Sequence, residues 1–340
     1  MIKHLISDEG KFYKANLHSH STVSDGELTP EQMKKLYTDN GYSIIAFTDH
    51  CHFVTHNELS DDNFLALNGV ENAADEQGKP QFFDRCCDVC YIALSPERKL
   101  HPFQNENNVQ GDGEYSPFVP TYCTEDVNMM IETGVKNGFF VTYNHPTWSL
   151  EDYERYMTYG GMNAMEIFNY SSAVDGYDEY NPEIYDNMLR SGKRIFCIAT
   201  DDNHNRAPNT CHWDSFGGFT MIKAPSLKYE DVTNALLKGD FYASRGPEIK
   251  ALWLDTDDGT IHIKCSDAVK IVCTRGGRRC RAVYAKEQGV EYLNEMFFSV
   301  NPTDIYFRIT VFDEYGMTAD TNAYFVDTLG IDFSKDIFIE

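Results

Sequence analysis

Two histidines one residue apart, His18 and His20, close a short apolar segment in Lys14-Ala-Asn-Leu-His-Ser-His20. A strand sends alternate side chains to the same side, so His-x-His places two imidazoles together on one face. Imidazole is the commonest metal-binding side chain and suits zinc, iron, copper and nickel. Asp25 lies five residues on. His50 closes Ser43-Ile-Ile-Ala-Phe-Thr-Asp-His50, and Glu71 closes Leu67-Asn-Gly-Val-Glu71. His145 closes Phe139-Phe-Val-Thr-Tyr-Asn-His145, and Asp202 and His204 close Arg194-Ile-Phe-Cys-Ile-Ala-Thr-Asp-Asp-Asn-His204.

Apolar runs that repeatedly end in His, Asp or Glu carry a structural implication. Fully buried parallel strands read as near-continuous apolar runs. Where such strands close into a barrel, the active site lies at their carboxyl ends. Ligands placed just past several strands therefore converge. Any one of these residues alone reads as a core histidine or a solvated carboxylate; the set reads as a multinuclear metal site. Two cations about 3.5–4 Å apart, bridged by a carboxylate such as Glu71, hold an activated hydroxide and clamp an in-line displacement. Metal-bound water has a pKa of about 7, so no strong side-chain base is required.

The elements that must position these ligands are punctuated as βαβ units. After the strand 12–17 and a polar loop, Thr29-Pro-Glu-Gln32 opens a helix. Thr29 is placed as its cap, Pro30 at its first position and Gln32 to complete a capping box, and Gly41 is placed to end it. The strand 43–47 follows. Further helices are expected at 124–138, 182–192 and 228–238, and strands at 139–143, 162–168 and 194–199. The stretch 96–122, rich in Asn, Gly and Pro, reads as a long loop or lid. After Ser244-Arg-Gly-Pro247 the pattern changes to about seven short alternating segments between 248 and 327, as in a β-sandwich. Two domains are expected, 1–247 carrying the chemistry and 248–340 all-β. Ten of the eleven histidines fall between His4 and His212.

Composition narrows the partners. A net charge of −24 disfavours long nucleic acids, whose binding rests on Lys and Arg. It leaves room for a small phosphorylated substrate, because bound cations reverse the local sign. No run approaches the roughly 18 apolar residues of a membrane span. The N-terminal stretch has no signal-peptide hydrophobic region and turns acidic at once, so a cytoplasmic location is expected. The ten cysteines fit a reducing compartment. Cys86, Cys87 and Cys90 resemble half a zinc knuckle, but no second pair with suitable spacing accompanies them.

His18-Ser-His20, Asp25-Gly26, Thr48-Asp-His50, Gly69-Val-Glu71, Asn144-His-Pro146 and Asp202-Asn-His204 resemble the PHP (polymerase and histidinol phosphatase) domain, in the same order. The resemblance covers residues 12 to about 247. It implies an α/β fold, a distorted (β/α)7 barrel with up to three metals at the strand ends, followed here by a small all-β, Ig-like sandwich domain. The tail, Gly239-Asp-Phe-Tyr-Ala-Ser-Arg-Gly-Pro247 and Tyr306-Phe-Arg-Ile-Thr-Val-Phe-Asp313, is similar to carbaryl-hydrolase-like PHP proteins. By this resemblance His18, His20, Glu71 and Asp202 hold the first metal. Glu71 and His145 hold the second, and Asp25, His50 and His204 the third. Asp202 also takes a proton from the attacking water. The family's further histidine after the Glu is unmatched; Asp88 and His101 are its two candidate replacements. The doubled Asp201-Asp202 leaves two ligand candidates, with the Asp-x-His spacing favouring Asp202.

The expected function is that of a metal-dependent phosphoesterase acting on a small phosphorylated molecule through a metal-activated hydroxide. Two to three divalent ions (Zn, Mn or Fe) are its cofactors. Arg206 is placed for phosphate recognition. Asn144 and Asn169 are candidates for orienting substrate, His52 and His56 for peripheral contacts, and Arg245 and Tyr143 for structure. Two alternatives stand beside this: hydrolysis of a carboxylic ester, carbamate or amide at the same metals, and a metal-containing binding module without turnover. No long nucleic acid and no membrane is expected as a partner, and the sequence leaves the oligomeric state open.

Overall fold

The computed structural model of the chain describes residues 1–79, 83–331 and 333. The last residues of the expected C-terminal domain, 334–340, lie outside the described residues. In chain order the strands are β1 Ile2–His4, β2 Lys11–Asn16, β3 Ile44–Phe47, β4 Leu65–Asp75, β5 Cys86–Ala93, β6 Phe139–Tyr143, β7 Ala164–Asn169, β8 Phe196–Thr200 and β9 Phe219–Ala224. They continue with β10 Phe241–Ser244, β11 Ile249–Asp255, β12 Thr260–Ala268, β13 Lys270–Arg275, β14 Arg281–Tyr284, β15 Leu293–Ser299, β16 Tyr306–Phe312, β17 Thr318–Thr321 and β18 Tyr324–Phe325. The helices are α1 Pro30–Asp39, α2 Thr124–Lys136, α3 Tyr153–Tyr156, α4 Tyr170–Val174, α5 Pro182–Arg190 and α6 Tyr229–Lys238.

Local chemistry sets the helix ends. The Thr29 hydroxyl accepts from the Gln32 N–H, and the Gln32 side chain accepts from the Thr29 N–H, so the capping box at α1 is complete. Gly239 ends α6 in the left-handed conformation, which glycine adopts without a Cβ clash.

The chain is a mixed α/β protein built on one large sheet. Its strand order is β14-β13-β16-β17-β10-β9-β2-β3-β4-β5-β6-β7-β8, with β18 on β16. The sheet curls on itself. Side chains from each of β2 to β9 meet in one core that includes Ala15, Ala46, Leu67, Ile92, Phe140, Ala164, Ile198 and Ile222. Helix α6 closes this core on the side where the parallel strands start, through Tyr229, Val232 and Leu236. The last strand, β8, returns against β9, where the Thr220 hydroxyl donates to Ala199 O (3.0 Å) and accepts from Ala199 N (3.3 Å). A second core of aromatic and aliphatic side chains lies outside the curled sheet, against α2 and α5.

A separate sheet, β1-β11-β12-β15, shares a third core with β13, β14, β16 and β17. Leu5 and Ile6 belong to that core, so the N-terminal segment packs with the C-terminal strands. The buried Arg308 guanidinium on β16 holds Asp186 of α5 with two bonds (2.9 and 2.8 Å) and Asp320 of β17 (3.1 Å).

Several expectations are corrected. The ligand-bearing strands are not all parallel: β5 pairs antiparallel with both β4 and β6, and β9 antiparallel with β2. Glu71 does not end its strand. β4 runs on to Asp75 because its pairing with β5 extends from Gly69↔Ile92 to Asp75↔Cys86. β1, β9, β10 and β17 were not foreseen; β9 and β17 are short runs interrupted by Thr, Lys or Asp, which blur the apolar signal, and β10 is only four residues long. The 96–122 stretch is without helix or strand, as expected of a long loop, and none of it is among the residues lining the cleft described below.

Candidate metal centre

The carboxyl ends of β2, β3, β6 and β8, with the middle of β4, bring the predicted ligands together. Three sets of donor atoms each lie within 4.8 Å of one another: His20, Asp25, His50 and His204; His18, His20, Glu71 and Asp202; and Glu71, Asp88 and His145. Glu71 sits at the middle. Its Oε1 lies 3.1 Å from His18 Nε2 and 3.3 Å from His145 Nε2. Its Oε2 lies 3.3 Å from His20 Nε2 and 3.1 Å from His50 Nδ1. Asp202 Oδ1 lies 3.0 Å from His20 Nε2 and 3.2 Å from His18 Nε2.

Two of these residues reach the site through strained backbone. His145 has φ +22° and Asp202 φ +52°, in a region non-glycine residues seldom occupy. Hydrogen bonds hold both turns: His145 N donates to Glu166 Oε2 (2.9 Å), and Asp202 N to His18 O (2.9 Å).

The electrostatics fit a cation site. Burial opposes the charged form of His145, yet Glu71, Asp88 and Asp202 outweigh it and push its pKa up to about 10. Burial is likewise outweighed at His50, raised to about 9 by Glu71 and Asp25. Burial and the nearby Glu71 push Asp88 up to about 7. Burial works against ionised Glu71 and Asp202, but the surrounding imidazoles hold both below the usual carboxylate range. Buried polar atoms lack a well-aligned hydrogen bond at Asp88 Oδ1, at His20 Nδ1 and at Asp202 Oδ1, the last flanked only by the two imidazoles. Unpaired buried polar atoms are costly, and a divalent ion satisfies such a set of N and O donors.

The two open choices separate by geometry. Asp202 faces the imidazoles, whereas Asp201 turns away. Asp201 accepts from Tyr37 OH (2.8 Å) and from the N–H groups of Phe216, Gly217 and Gly218 (2.8, 2.9 and 2.9 Å). Asp88 joins Glu71 and His145, whereas His101 is spent elsewhere: its Nε2 meets Asn72 Oδ1 (3.0 Å) and its Nδ1 accepts from Phe103 N (3.3 Å).

The cleft over the centre holds about 490 Å³ and is lined by Asp25, His50, Trp148, Arg206, His212 and Asp214 among others. Arg206 donates to Asp25 Oδ2 (2.8 Å) and is 57% exposed. Asn144 and Asn169 face carboxylates rather than the open cleft: Asn144 Nδ2 donates to Glu71 Oε1 (3.2 Å), and Asn169 Nδ2 to Asp202 Oδ2 (3.2 Å). His52 pairs with Glu114 (2.8 Å), and His56 is buried against Phe47. Arg245 stacks on Phe168 and Tyr180, and Tyr143 packs on Tyr159. Cys87 and Cys90 are buried within β5.

Sequence reasoning missed Glu166, Glu179 and Asp49. Glu166 is fully buried on β7 and meets His18 Nδ1 at 2.8 Å. A carboxylate between apolar neighbours in Met165-Glu-Ile-Phe168 is the signal that was available. Glu179 accepts from the N–H groups of Thr147 (3.0 Å) and Trp148 (2.7 Å), fixing the turn after His145. Asp49 gathers the N–H groups of Ser21 (2.7 Å) and Ser24 (3.1 Å), tying down the loop that carries Asp25.

No protein-family model matches the chain, and no curated protein sequence matches it. Among solved structures, it is similar to a two-domain protein from Bacteroides vulgatus ATCC 8482 containing a predicted PHP-like metal-dependent phosphoesterase. That similarity covers 94% of this chain and 98% of the other, at 14% identity and TM-score 0.44. An amidohydrolase from Chromobacterium violaceum is matched over 58% of this chain and 90% of its own, at 14% identity and TM-score 0.35. A proposed metal-dependent phosphoesterase from Bifidobacterium adolescentis ATCC 15703 is matched over 60% and 91%, at 13% identity and TM-score 0.37.

Proposed function

We propose that this cleft is the active centre of a metal-dependent hydrolase of the PHP type, cleaving a phosphoester of a small molecule. The observation that carries the reading is the sharing of Glu71 and His20 between neighbouring donor sets, with buried acceptors on Asp88 and Asp202 that lack a well-aligned hydrogen bond. Two to three divalent ions, Zn, Mn or Fe, match that donor chemistry. When bound, they supply a water acidic enough to ionise near neutral pH and neutralise charge building on the phosphoryl oxygens.

The chain's own residues do the rest. Glu166 accepts the Nδ1 proton of His18 and so keeps Nε2 free as a ligand. Asn169 holds Asp202 Oδ2, leaving Oδ1 toward the imidazoles, where it takes the proton of the attacking water. Arg206 stands at the cleft mouth with a planar fork suited to phosphate oxygens.

The architecture that goes with this reading is a distorted barrel formed by β2–β9, with residues 1–247 as the hydrolase domain. In this reading the second domain, 248–340, is an Ig-like sandwich over its described residues, 248–331 and 333, joined by the N-terminal segment. Among the described residues no helix is long and apolar enough to cross a membrane. The ten cysteines, all unpaired, support a cytoplasmic setting within the same reading.

One observation favours a second electrophile. Among the described residues Arg206 is the sole Lys or Arg lining the cleft, and it is already tied to Asp25. Hydrolysis of a carboxylic ester, carbamate or amide needs no further cation. Metal-loaded protein assayed on phosphomonoesters, nucleoside bisphosphates, aryl esters and carbamates decides between them: phosphate release carries the proposal, and ester or carbamate turnover alone replaces it.

A further inference from the structure

The sheet β1-β11-β12-β15 presents an aromatic row on the face turned away from its core. His4 pairs with Trp253, Trp253 with His262, and His262 with Phe297, across four adjacent strands. The flanking Leu252, Leu254, Ile261, Ile263 and Phe298 point inward and are buried. Side chains alternate along strands, so the four rings share the outer face. Trp253 and His262 are stacked at 5.0 Å with planes 2° apart, and Phe297 is 65% exposed.

A pocket of about 410 Å³ opens beside this row. Trp253 and His4 line it, together with Lys223, Lys250, Lys264 and Asp8. His262 stacks on one face of the indole and is not among the residues lining the pocket. Lys264 Nζ lies 5.9 Å from the indole centroid and 3.8 Å from Glu295. Lys223 sits over the Phe12 ring at 4.7 Å. Among the described residues no carboxylate lies within ion-pair distance of Lys223 or Lys250. Asp8 is the one carboxylate lining the pocket, and it faces His4 at 3.4 Å.

Three lysines lining one pocket with an indole run against a chain of net charge −24. Solvent-accessible cations lining one pocket with an aromatic face suit a ring that bears a compact, multiply charged anion. Lysine serves phosphate as a mobile point charge with three donors, and an indole face stacks on a base or a sugar ring. We infer that this pocket is a second ligand site, separate from the metal cleft, for a small phosphorylated ring compound. The ring lies against Trp253 and the phosphate among Lys223, Lys250 and Lys264. Lys223 belongs to β9 of the large sheet and the other two to the small sheet, so such a ligand bridges the two sheets.

The test uses the full chain with Trp148→Phe and Trp213→Phe, leaving Trp253 as the one indole. Its fluorescence is titrated with AMP, glucose 6-phosphate, adenosine and inorganic phosphate, with phosphate release followed in the same samples. The expected result is a saturable change with AMP or glucose 6-phosphate, the responding ester naming the ring. Lys250→Gln with Lys264→Gln then weakens binding about tenfold or more, and adenosine binds at least about tenfold more weakly than AMP. The inference is overturned if neither ester saturates below about 10 mM. It is equally overturned if the lysine variant binds unchanged, or if inorganic phosphate binds as tightly as the esters.

Discussion

Glu166 reaches His18 from beneath the metal centre, its Oε1 2.8 Å from Nδ1, while its Oε2 accepts from the His145 backbone N–H at 2.9 Å. One buried carboxylate thus meets the Nδ1 of one candidate ligand and anchors the turn that carries a second candidate. Carboxylates behind metal-binding histidines typically contribute 10–100-fold (roughly) in affinity or activity. Glu166→Ala is therefore expected to lower affinity for the activating divalent ion by about that range, measured by chelator competition. An affinity unchanged within about twofold would show that His18 needs no such support.

Asp201 and Asp202 are neighbours with opposite duties. In the proposed mechanism Asp202 is the proton acceptor, so Asp202→Asn is expected to reduce turnover by roughly 10²–10⁴ while the fold persists. Asp201→Ala leaves three backbone N–H groups and the Tyr37 hydroxyl without their acceptor. Each orphaned donor costs about 1–3 kcal/mol. Thermal unfolding should therefore drop sharply for the second variant and little for the first; the reverse pattern would exchange the two assignments.

Glu151 gives a pH signature away from the metals. Burial raises its pKa to about 8, and Tyr159 OH donates to its Oε1 at 3.0 Å. The folded chain keeps this proton up to about pH 8, whereas the unfolded chain loses it near the ordinary value of 4.5. Stability from this group is whole below the ordinary value and falls as pH rises through the interval between the two. Glu151→Gln removes that loss. Its melting temperature relative to wild type should climb by a few degrees between about pH 5 and about pH 8. A difference that stays flat over that interval would show that Glu151 ionises normally.

Arg308 ties the C-terminal strands to α5. Removing one member of a buried ion pair costs about 3–5 kcal/mol, because the partner is left charged and unpaired. Arg308→Met should lower the unfolding midpoint accordingly, and Asp186→Asn with Asp320→Asn added to it should recover part of the loss. No recovery in the combined variant would place the cost in packing rather than in stranded charge.

How far the site was legible follows from where its residues lie. His18, His20, His50, His145 and the Asp201-Asp202 pair end apolar runs, so the pattern marked them as candidates, while the preference for Asp202 came from the Asp-x-His spacing of the resemblance. Glu71 was found although its strand continues to Asp75, because the pairing with β5 that extends β4 leaves no local trace. Asp88 was named beside His101 as a candidate, but its approach to His145 (3.7 Å) depends on antiparallel pairing that the sequence does not reveal. Glu166 escaped because an isolated Glu in a strand resembles an outward residue until its neighbours are known. The C-terminal strands were legible from alternation, but the pairing of Ile2–His4 with Asp255–Trp253 joins the two ends of the chain and is invisible to local pattern.

The most direct test of the central claim is elemental analysis of the purified chain, with phosphate release assayed on the same sample before and after chelation. The account predicts two to three divalent ions per chain, phosphate release lost on chelation and restored by Mn or Zn, and both metal content and activity reduced in Glu71→Gln. One ion or none after loading, with no phosphate released from any phosphoester in the panel, would contradict it.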